Sequence, residues 1–173
     1  KQLVFQCTHW HRIIEIYFLA YCKIQNPDNK SCRDCTIREL STNYFLRVIK
    51  PSWASLVFDT TTYSLIKQIT VGALPDMITF SADGKFILTA NEGEPNDDYS
   101  KDPDGTVSII EVNNNYAVTT LDFSSFSSQL STLKANGFRI ASPTNNFASD
   151  IEPEYITISS DSKTAWVTLQ ENN

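Results

Sequence analysis

The chain has 173 residues, of which 41% are hydrophobic and 12% aromatic, so it can fold around a core of its own. Its formal net charge of -6 excludes a nucleic acid or an anionic membrane as the main partner, because both require a basic protein surface. An acidic chain of this kind is compatible with a cation-binding or an extracellular protein.

Residues 1–50 differ from the rest and are left without a domain assignment, as an irregular or partly helical segment. The apolar run 13–22 contains Glu15 and is about half of the roughly 20 residues that a transmembrane helix needs, so no transmembrane segment is predicted. A secretory signal suits its length, although the small-x-small cleavage pattern is missing. Because the chain opens at Lys1 and closes directly after a strand-like run, we expect a fragment of a longer protein.

The cysteines and histidines all lie in this first segment. Four cysteines in an exported protein form two disulfides more often than a metal site, with three possible connectivities. Cys32 and Cys35 have CxxC spacing, and a zinc set could be completed by Cys7, His9, His11 and Cys22, but a strong zinc pattern would show two well-spaced pairs. Asn29 opens an Asn-Lys-Ser glycosylation acceptor if the segment is exported. The disulfide candidates are Cys7, Cys22, Cys32 and Cys35.

From Trp53 onward the sequence is typical of an all-β protein. Apolar and β-branched runs recur every ten or so residues with turn signals between them, as in a sandwich, a barrel or a propeller. The pair Asp83-Gly84 predicts a tight hairpin turn, and 121–130 reads as a strand end followed by a short helix or loop. The predicted strands are 55–59, 64–71, 75–80, 85–90, 106–112 and 165–169.

An internal repeat narrows this choice. Residues 74–85 recur as residues 152–163, with the shared order proline, acidic residue, strand, Ser-x-Asp turn, lysine and a further strand. Such repeats predict propeller blades, each a small sheet that buries its faces only against its neighbours. Because a ring needs at least about four blades, we expect a partial β-propeller of about two blades with some sheet faces uncovered.

Six blocks of this sequence, in this order, resemble the choice-of-anchor I domain family, which is also found in mesenchyme-specific cell-surface glycoproteins of biomineralising animals. The resemblance implies a seven-bladed-type propeller held at the cell surface and associated with calcium-carbonate deposition; bacterial relatives are sometimes labelled alkaline-phosphatase-like or esterase-like. Residues 51–173 are then the N-terminal part of such a domain, truncated at its C-terminus. The blocks are 71–77, 81–85, 90–95, 104–108, 150–155 and 169–173.

Residues 90–112 concentrate negative charge between two predicted strands. The spacing from Ser100 to Glu111 almost fits an EF-hand loop, but its first position lacks the aspartate, and Gly93 and Pro95 would break an entering helix, so an EF-hand is rejected. Two alternatives stay open, a helix-free calcium loop and a solvated acidic excursion. The six carboxylates are Glu92, Glu94, Asp97, Asp98, Asp102 and Asp104, offset locally only by Lys101.

Corresponding loops of propeller blades emerge on one face, which brings acidic residues of different blades into one neighbourhood. Glu92 and Glu171 are expected to converge there, with Glu152 or Glu154 nearby, and crowded carboxylates need a cation or raised pKa values. The alternative is that the Glu-Pro pairs merely punctuate the blades. The candidate metal ligands are Glu92, Glu94, Asp97, Asp98, Asp102, Asp104, Glu152, Glu154 and Glu171.

No catalytic residue is assigned, because the sequence has neither a Gly-x-Ser-x-Gly elbow nor a glycine-rich phosphate loop. The sequence favours a non-enzymatic, extracellular or cell-surface propeller glycoprotein that binds Ca²⁺ and contributes to adhesion or biomineralisation. Its expected partners are calcium ions or a mineral surface and extracellular matrix proteins. The alternatives are a metal-dependent phosphatase-like hydrolase, in which clustered carboxylates would hold the ions, and a metal-free protein-interaction propeller.

Overall fold

The computed structural model describes residues 35–40, 44–49, 53–140, 146–169 and 172. The regular structure of the described residues is mostly β-strand, with two short helical segments, which confirms the predicted β-rich class. Within the described residues the strands form three antiparallel sheets, none of them closed on itself. The elements are β1 (Cys35–Leu40), β2 (Tyr44–Ile49), β3 (Ala54–Asp59), β4 (Leu65–Thr70), β5 (Pro75–Phe80), β6 (Phe86–Asn91), β7 (Thr106–Glu111), β8 (Ala117–Leu121), a 3₁₀ helix (Ser124–Gln129), α1 (Leu130–Ala135), β9 (Pro153–Ile158) and β10 (Ala165–Leu169).

Each strand pairs with its neighbour along the chain. The first sheet has the order β1-β2-β3-β4, the second β5-β6-β7-β8, and the third described sheet is the hairpin β9-β10. The predicted irregular or partly helical character of residues 1–50 is therefore wrong for 35–40 and 44–49, which extend the first sheet upstream. The physical reason is composition, because Ile37, Val48 and the aromatic start of β2 are residues that favour strands.

The middle sheet, β5-β8, packs on both of its faces. Ile87 of β6 belongs to one buried cluster with Val57 of β3, so one face contacts the first sheet. The next residue, Leu88, belongs to a second cluster with Ile156 of β9, so the other face contacts the third sheet. Since successive residues of a strand point to opposite faces, a single apolar run supplies both contacts. The three sheets are therefore stacked face to face in chain order.

The hairpins β5-β6 and β9-β10 confirm the predicted repeat in atomic detail. In the first, the Ser81 hydroxyl donates to Asp83 Oδ1 at 2.7 Å and accepts from the amide five residues later at 3.0 Å. In the second, the Ser159 hydroxyl makes the same two hydrogen bonds, with Asp161 Oδ1 at 2.6 Å and with an amide at 3.0 Å. In both turns a serine hydroxyl takes the place of a backbone carbonyl as the hydrogen-bond acceptor of an amide.

The two repeated turns also contact each other. The amide of Asp83 donates to Ser162 Oγ at 3.0 Å. Ser162 has φ 60 and occupies the turn position that Gly84, with φ 68, holds in the first repeat. A side chain in this left-handed region is strained where glycine is not, and here the hydroxyl of that side chain supplies the acceptor for the neighbouring turn. The repeats thus meet both face to face and turn to turn.

Replacing Ser81 by alanine is expected to lower the free energy of unfolding by about 1–3 kcal/mol, because the amide of Phe86 loses its side-chain acceptor at a buried position. Ser159→Ala is the matched control, since its turn has the same hydrogen bonds but is only half-buried. Chemical denaturation of both variants measures the two effects. A loss at Ser159 as large as that at Ser81 would contradict the dependence on burial.

The loss of stability at low pH is expected to depend on Asp83. Hydrogen bonds from Ser81 and then Lys85 lower the pKa of Asp83 from 3.8 to about 2. A lowered folded-state pKa stabilises the fold above the unfolded value, and that contribution is lost as the pH falls through the folded value. The difference in denaturant midpoint between the wild type and Asp83→Asn should therefore be constant above about pH 5 and shrink as the pH falls from there towards 2. A difference independent of pH would contradict this.

Candidate functional site

Three segments come together at the end of β6. The acidic loop, residues 92–105, leaves β6 with its first two amides bonded to the segment before β5, at 3.0 Å for Glu92 and 3.1 Å for Gly93. It returns to β7 with the amide of Gly105 donating to Ala148 O at 3.2 Å. Ala148 belongs to residues 146–152, the lead-in segment of β9. Together the acidic loop and the lead-in segment form what we term the loop face.

Two glycines allow the backbones of the loop face to approach closely. Gly93 has φ 71, and a Cβ there would lie 2.9 Å from Pro103 O and 3.0 Å from Asp104 O. A Cβ on Gly105 would collide with the carbonyl oxygen of Ile151. Both ends of the acidic loop are therefore packed backbone against backbone, which only a residue without a side chain permits.

A buried polar network lies directly beneath the loop. Thr89 Oγ1 donates to Asn91 Oδ1 at 2.8 Å, and Asn91 Nδ2 donates to Ser108 Oγ at 2.9 Å and to Thr106 Oγ1 at 3.1 Å. A Cβ on Gly72 would collide with the Thr106 hydroxyl, so the segment that connects β4 to β5 packs tightly on this network. This network was not predicted from the sequence; its signal is the polar alternation Thr-x-Asn in β6 opposite Thr-x-Ser in β7.

Several side chains of the acidic loop make hydrogen bonds that hold the loop in its conformation. Asp102 Oδ2 accepts from Ser149 Oγ at 2.9 Å, which docks the acidic loop onto the lead-in segment. Asp98 Oδ1 accepts from the amide of Ser100 at 3.0 Å, and the hydrogen bonds from Ser100 lower the pKa of Asp98. Asn96 closes the same turn by accepting from the amide five residues later at 2.8 Å. The middle of the loop is thus an ordered turn that joins β6 to β7.

The other predicted metal ligands fall into two groups. Glu94, Asp97 and Asp104 are exposed, whereas Glu92, Glu152 and Glu154 are half-buried and each takes part in an interaction. Among the described residues, no group of three or more His, Cys, Asp and Glu side chains is arranged to hold a metal ion. The described carboxylates of the loop are therefore not arranged as a chelating cage.

A second network joins the lead-in segment to the end of the described chain. Asn172 is buried, and its Nδ2 donates to Asp150 Oδ2 at 3.1 Å, Asp150 O at 3.0 Å and Arg139 O at 2.9 Å. The amide of Arg139 donates back to Asn172 O at 3.1 Å. Asp150 is only 3% exposed, so this amide is a principal partner of a buried carboxylate. Asn172 thereby holds the lead-in segment in place by linking Asp150 to Arg139.

The remaining sequence predictions lie outside the described residues, apart from one backbone position. Cys35 is the first residue of β1, and only its backbone is described. Within the described ranges, no helix is long and apolar enough to cross a membrane. The predicted residues that lie outside are Cys7, Cys22, Cys32, Asn29 and Glu171.

The tight junction of the loop face predicts a large effect for Gly105→Ala. The new Cβ must displace the Ile151 carbonyl, so we expect a loss of about 2–4 kcal/mol in the free energy of unfolding. Gly84→Ala is the matched control, because it meets nothing within 4 Å and suffers only its positive φ, at a cost of about 1–2 kcal/mol. Equal losses in urea denaturation would show that the close approach at Gly105 relaxes without cost.

Comparison with known proteins assigns the family. No curated protein matches the chain. The family model described as "Choice-of-anchor I domain" matches residues 54–173, a range that holds β3 to β10 and the whole loop face. The repeated hairpins, the glycine-tight loop junctions and the lead-in segment all lie in the matched part, and the chain belongs to the choice-of-anchor I domain family.

Proposed function

We propose that this chain is part of a cell-surface β-propeller whose loop face is a non-catalytic binding surface for Ca²⁺ and calcium-bearing surfaces. The family assignment suggests a domain related to surface anchoring. The observation that carries the proposal is the acidic loop, which is held at both ends and presents exposed carboxylates.

The stacking of the sheets supports a propeller. Two four-stranded meanders and a third hairpin follow one another in the chain and pack face to face in the same order. The hairpin that opens the second sheet and the hairpin that opens the third share the same Ser-x-Asp hydrogen bonds. A propeller is the architecture in which such repeated sheets cover each other in turn.

The state of the carboxylates supports weak, repeated cation contacts. Asp102 is engaged with Ser149, whereas Glu94, Asp97 and Asp104 point their negative charge at solvent on an ordered backbone. A single tightly held Ca²⁺ takes six to eight oxygens at one point. Carboxylates spread over an exposed loop suit an array of cations instead, as at a mineral surface, and the chain's net charge of -6 favours the same partner.

Such a binding surface belongs outside the cell, where millimolar calcium and matrix proteins are its natural partners. The affinity range of extracellular calcium modules, a dissociation constant of about 10⁻⁴–10⁻³ M, is the one expected here.

Calorimetric titration of the 173-residue chain with CaCl₂ tests the proposal. The wild type should bind in that millimolar range, and Glu94→Gln/Asp97→Asn/Asp104→Asn should lose most of the heat, because its exposed loop carboxylates are gone. The change in net charge is matched by a control that adds three lysines at exposed positions of the helical region, Ser127→Lys/Ser131→Lys/Thr132→Lys.

The control should retain binding. No saturable heat in the wild type would overturn the calcium proposal. An equal loss in the lysine control would also overturn it, because calcium would then be responding to net charge and not to the loop.

A further inference from the structure

We infer that β8 is a self-pairing edge, through which two copies of this chain associate by antiparallel β8-β8 pairing. The inference is independent of the proposed calcium function. It rests on the contrast between β8 and the other edge strands of the three described sheets.

Every other edge strand has an irregular register. An extra residue interrupts the pairing in β1, β4 and β5, and the pairing between β9 and β10 is broken on both strands. Bulges of this kind twist an edge and prevent it from accepting a further strand. The strand register skips Arg38 in β1, Ile66 in β4, Asp76 in β5, Glu154 and Tyr155 in β9, and Thr168 in β10.

By contrast, β8 is regular throughout. Its pairing with β7 runs without a break from Ala117 opposite Glu111 to Leu121 opposite Val107. β8 has no other strand neighbour among the described residues, so the backbone groups on its outer side face away from the sheet. Regular edges with unpaired amides and carbonyls are templates for pairing with another chain.

The side chains of β8 also lack the features that usually prevent an edge strand from pairing with another chain. All five residues are exposed, with Val118 at 40% and Leu121 at 49%, and none of them is charged or proline. The uncharged run extends over 112–121. β4, by comparison, carries Lys67, and β5 begins with Pro75. Lysine, proline and bulges are the devices that block edge-to-edge association, and β8 has none of them.

A second copy of β8 is a suitable partner for this edge. Antiparallel pairing centred on Thr119 places Thr119 opposite Thr119 of the second copy, Val118 opposite Thr120, and Ala117 opposite Leu121. These pairs are β-branched or aliphatic and contain no like charges, which is the composition that stabilises cross-strand pairs. The two four-stranded sheets would then join into one sheet of eight strands.

The net charge of -6 on each copy opposes this association. Because the charges lie outside the pairing strand, salt should screen the repulsion without weakening the strand pairing. We therefore expect dimerisation to strengthen between about 0.05 M and about 0.5 M NaCl.

Sedimentation equilibrium of the 173-residue chain tests the inference. The wild type is expected to be a reversible monomer-dimer system. Thr119→Lys and Thr119→Glu should each weaken dimerisation by at least about tenfold, because each places like charges directly opposite one another. An equimolar mixture of the two variants should restore dimers, since lysine then faces glutamate. Thr132→Lys, on the exposed surface of α1, is the charge control and should dimerise like its parent.

Thermal melts check that each variant is folded, which is expected because β8 stays paired with β7 on its inner side. Restoration by mixing supports both the edge and the register. A wild type that stays monomeric up to about 1 mM, the weak end of specific association, would overturn the inference. So would dimers that persist unchanged in both Thr119 variants, because the contact would then lie on another surface.

Discussion

The described structure depends on the requirement that β6 bury both of its faces. Five of its six residues are buried, and neighbours along the strand belong to opposite clusters, Ile87 facing the first sheet and Leu88 facing the third. No single sheet can cover such a strand, so neighbouring sheets have to stack on either side of it. The meeting of the acidic loop with the lead-in segment follows from that stacking.

The contact between the first two sheets changes character along β6. Ile87 packs in an apolar cluster, whereas Thr89 and Asn91 on the same face end in the hydrogen-bonded network with β7. Apolar contacts alone tolerate sliding, but a fully bonded polar network has a single satisfied arrangement. The polar end therefore fixes the alignment of the sheets at the position where the acidic loop departs.

What could be predicted from the sequence was local. Strand periodicity and the Ser-x-Asp turns operate over a few residues, so β3 to β7 and the paired hairpins were predicted correctly. β1 and β2 were not predicted, because they form strands by pairing onto β3, which lies outside residues 1–50. The placement of the carboxylates depended on contacts such as that of Asp102 with Ser149, 47 residues apart, and no spacing pattern encodes a contact of that range. The hydrogen bonds from Asn172 to Asp150 and Arg139 could not be predicted for the same reason.

The docking of the acidic loop has a mechanical consequence. The loop grows from the second sheet, yet Asp102 and Gly105 bond it to the lead-in segment of the third. A tensile force applied at the loop tip is consequently shared between two sheets and loads their hydrogen bonds together. A hairpin loop attached to one sheet alone would instead peel its strands apart one bond at a time. Attachment to two sheets therefore keeps the acidic loop in place under a load that would detach a loop held by a single sheet.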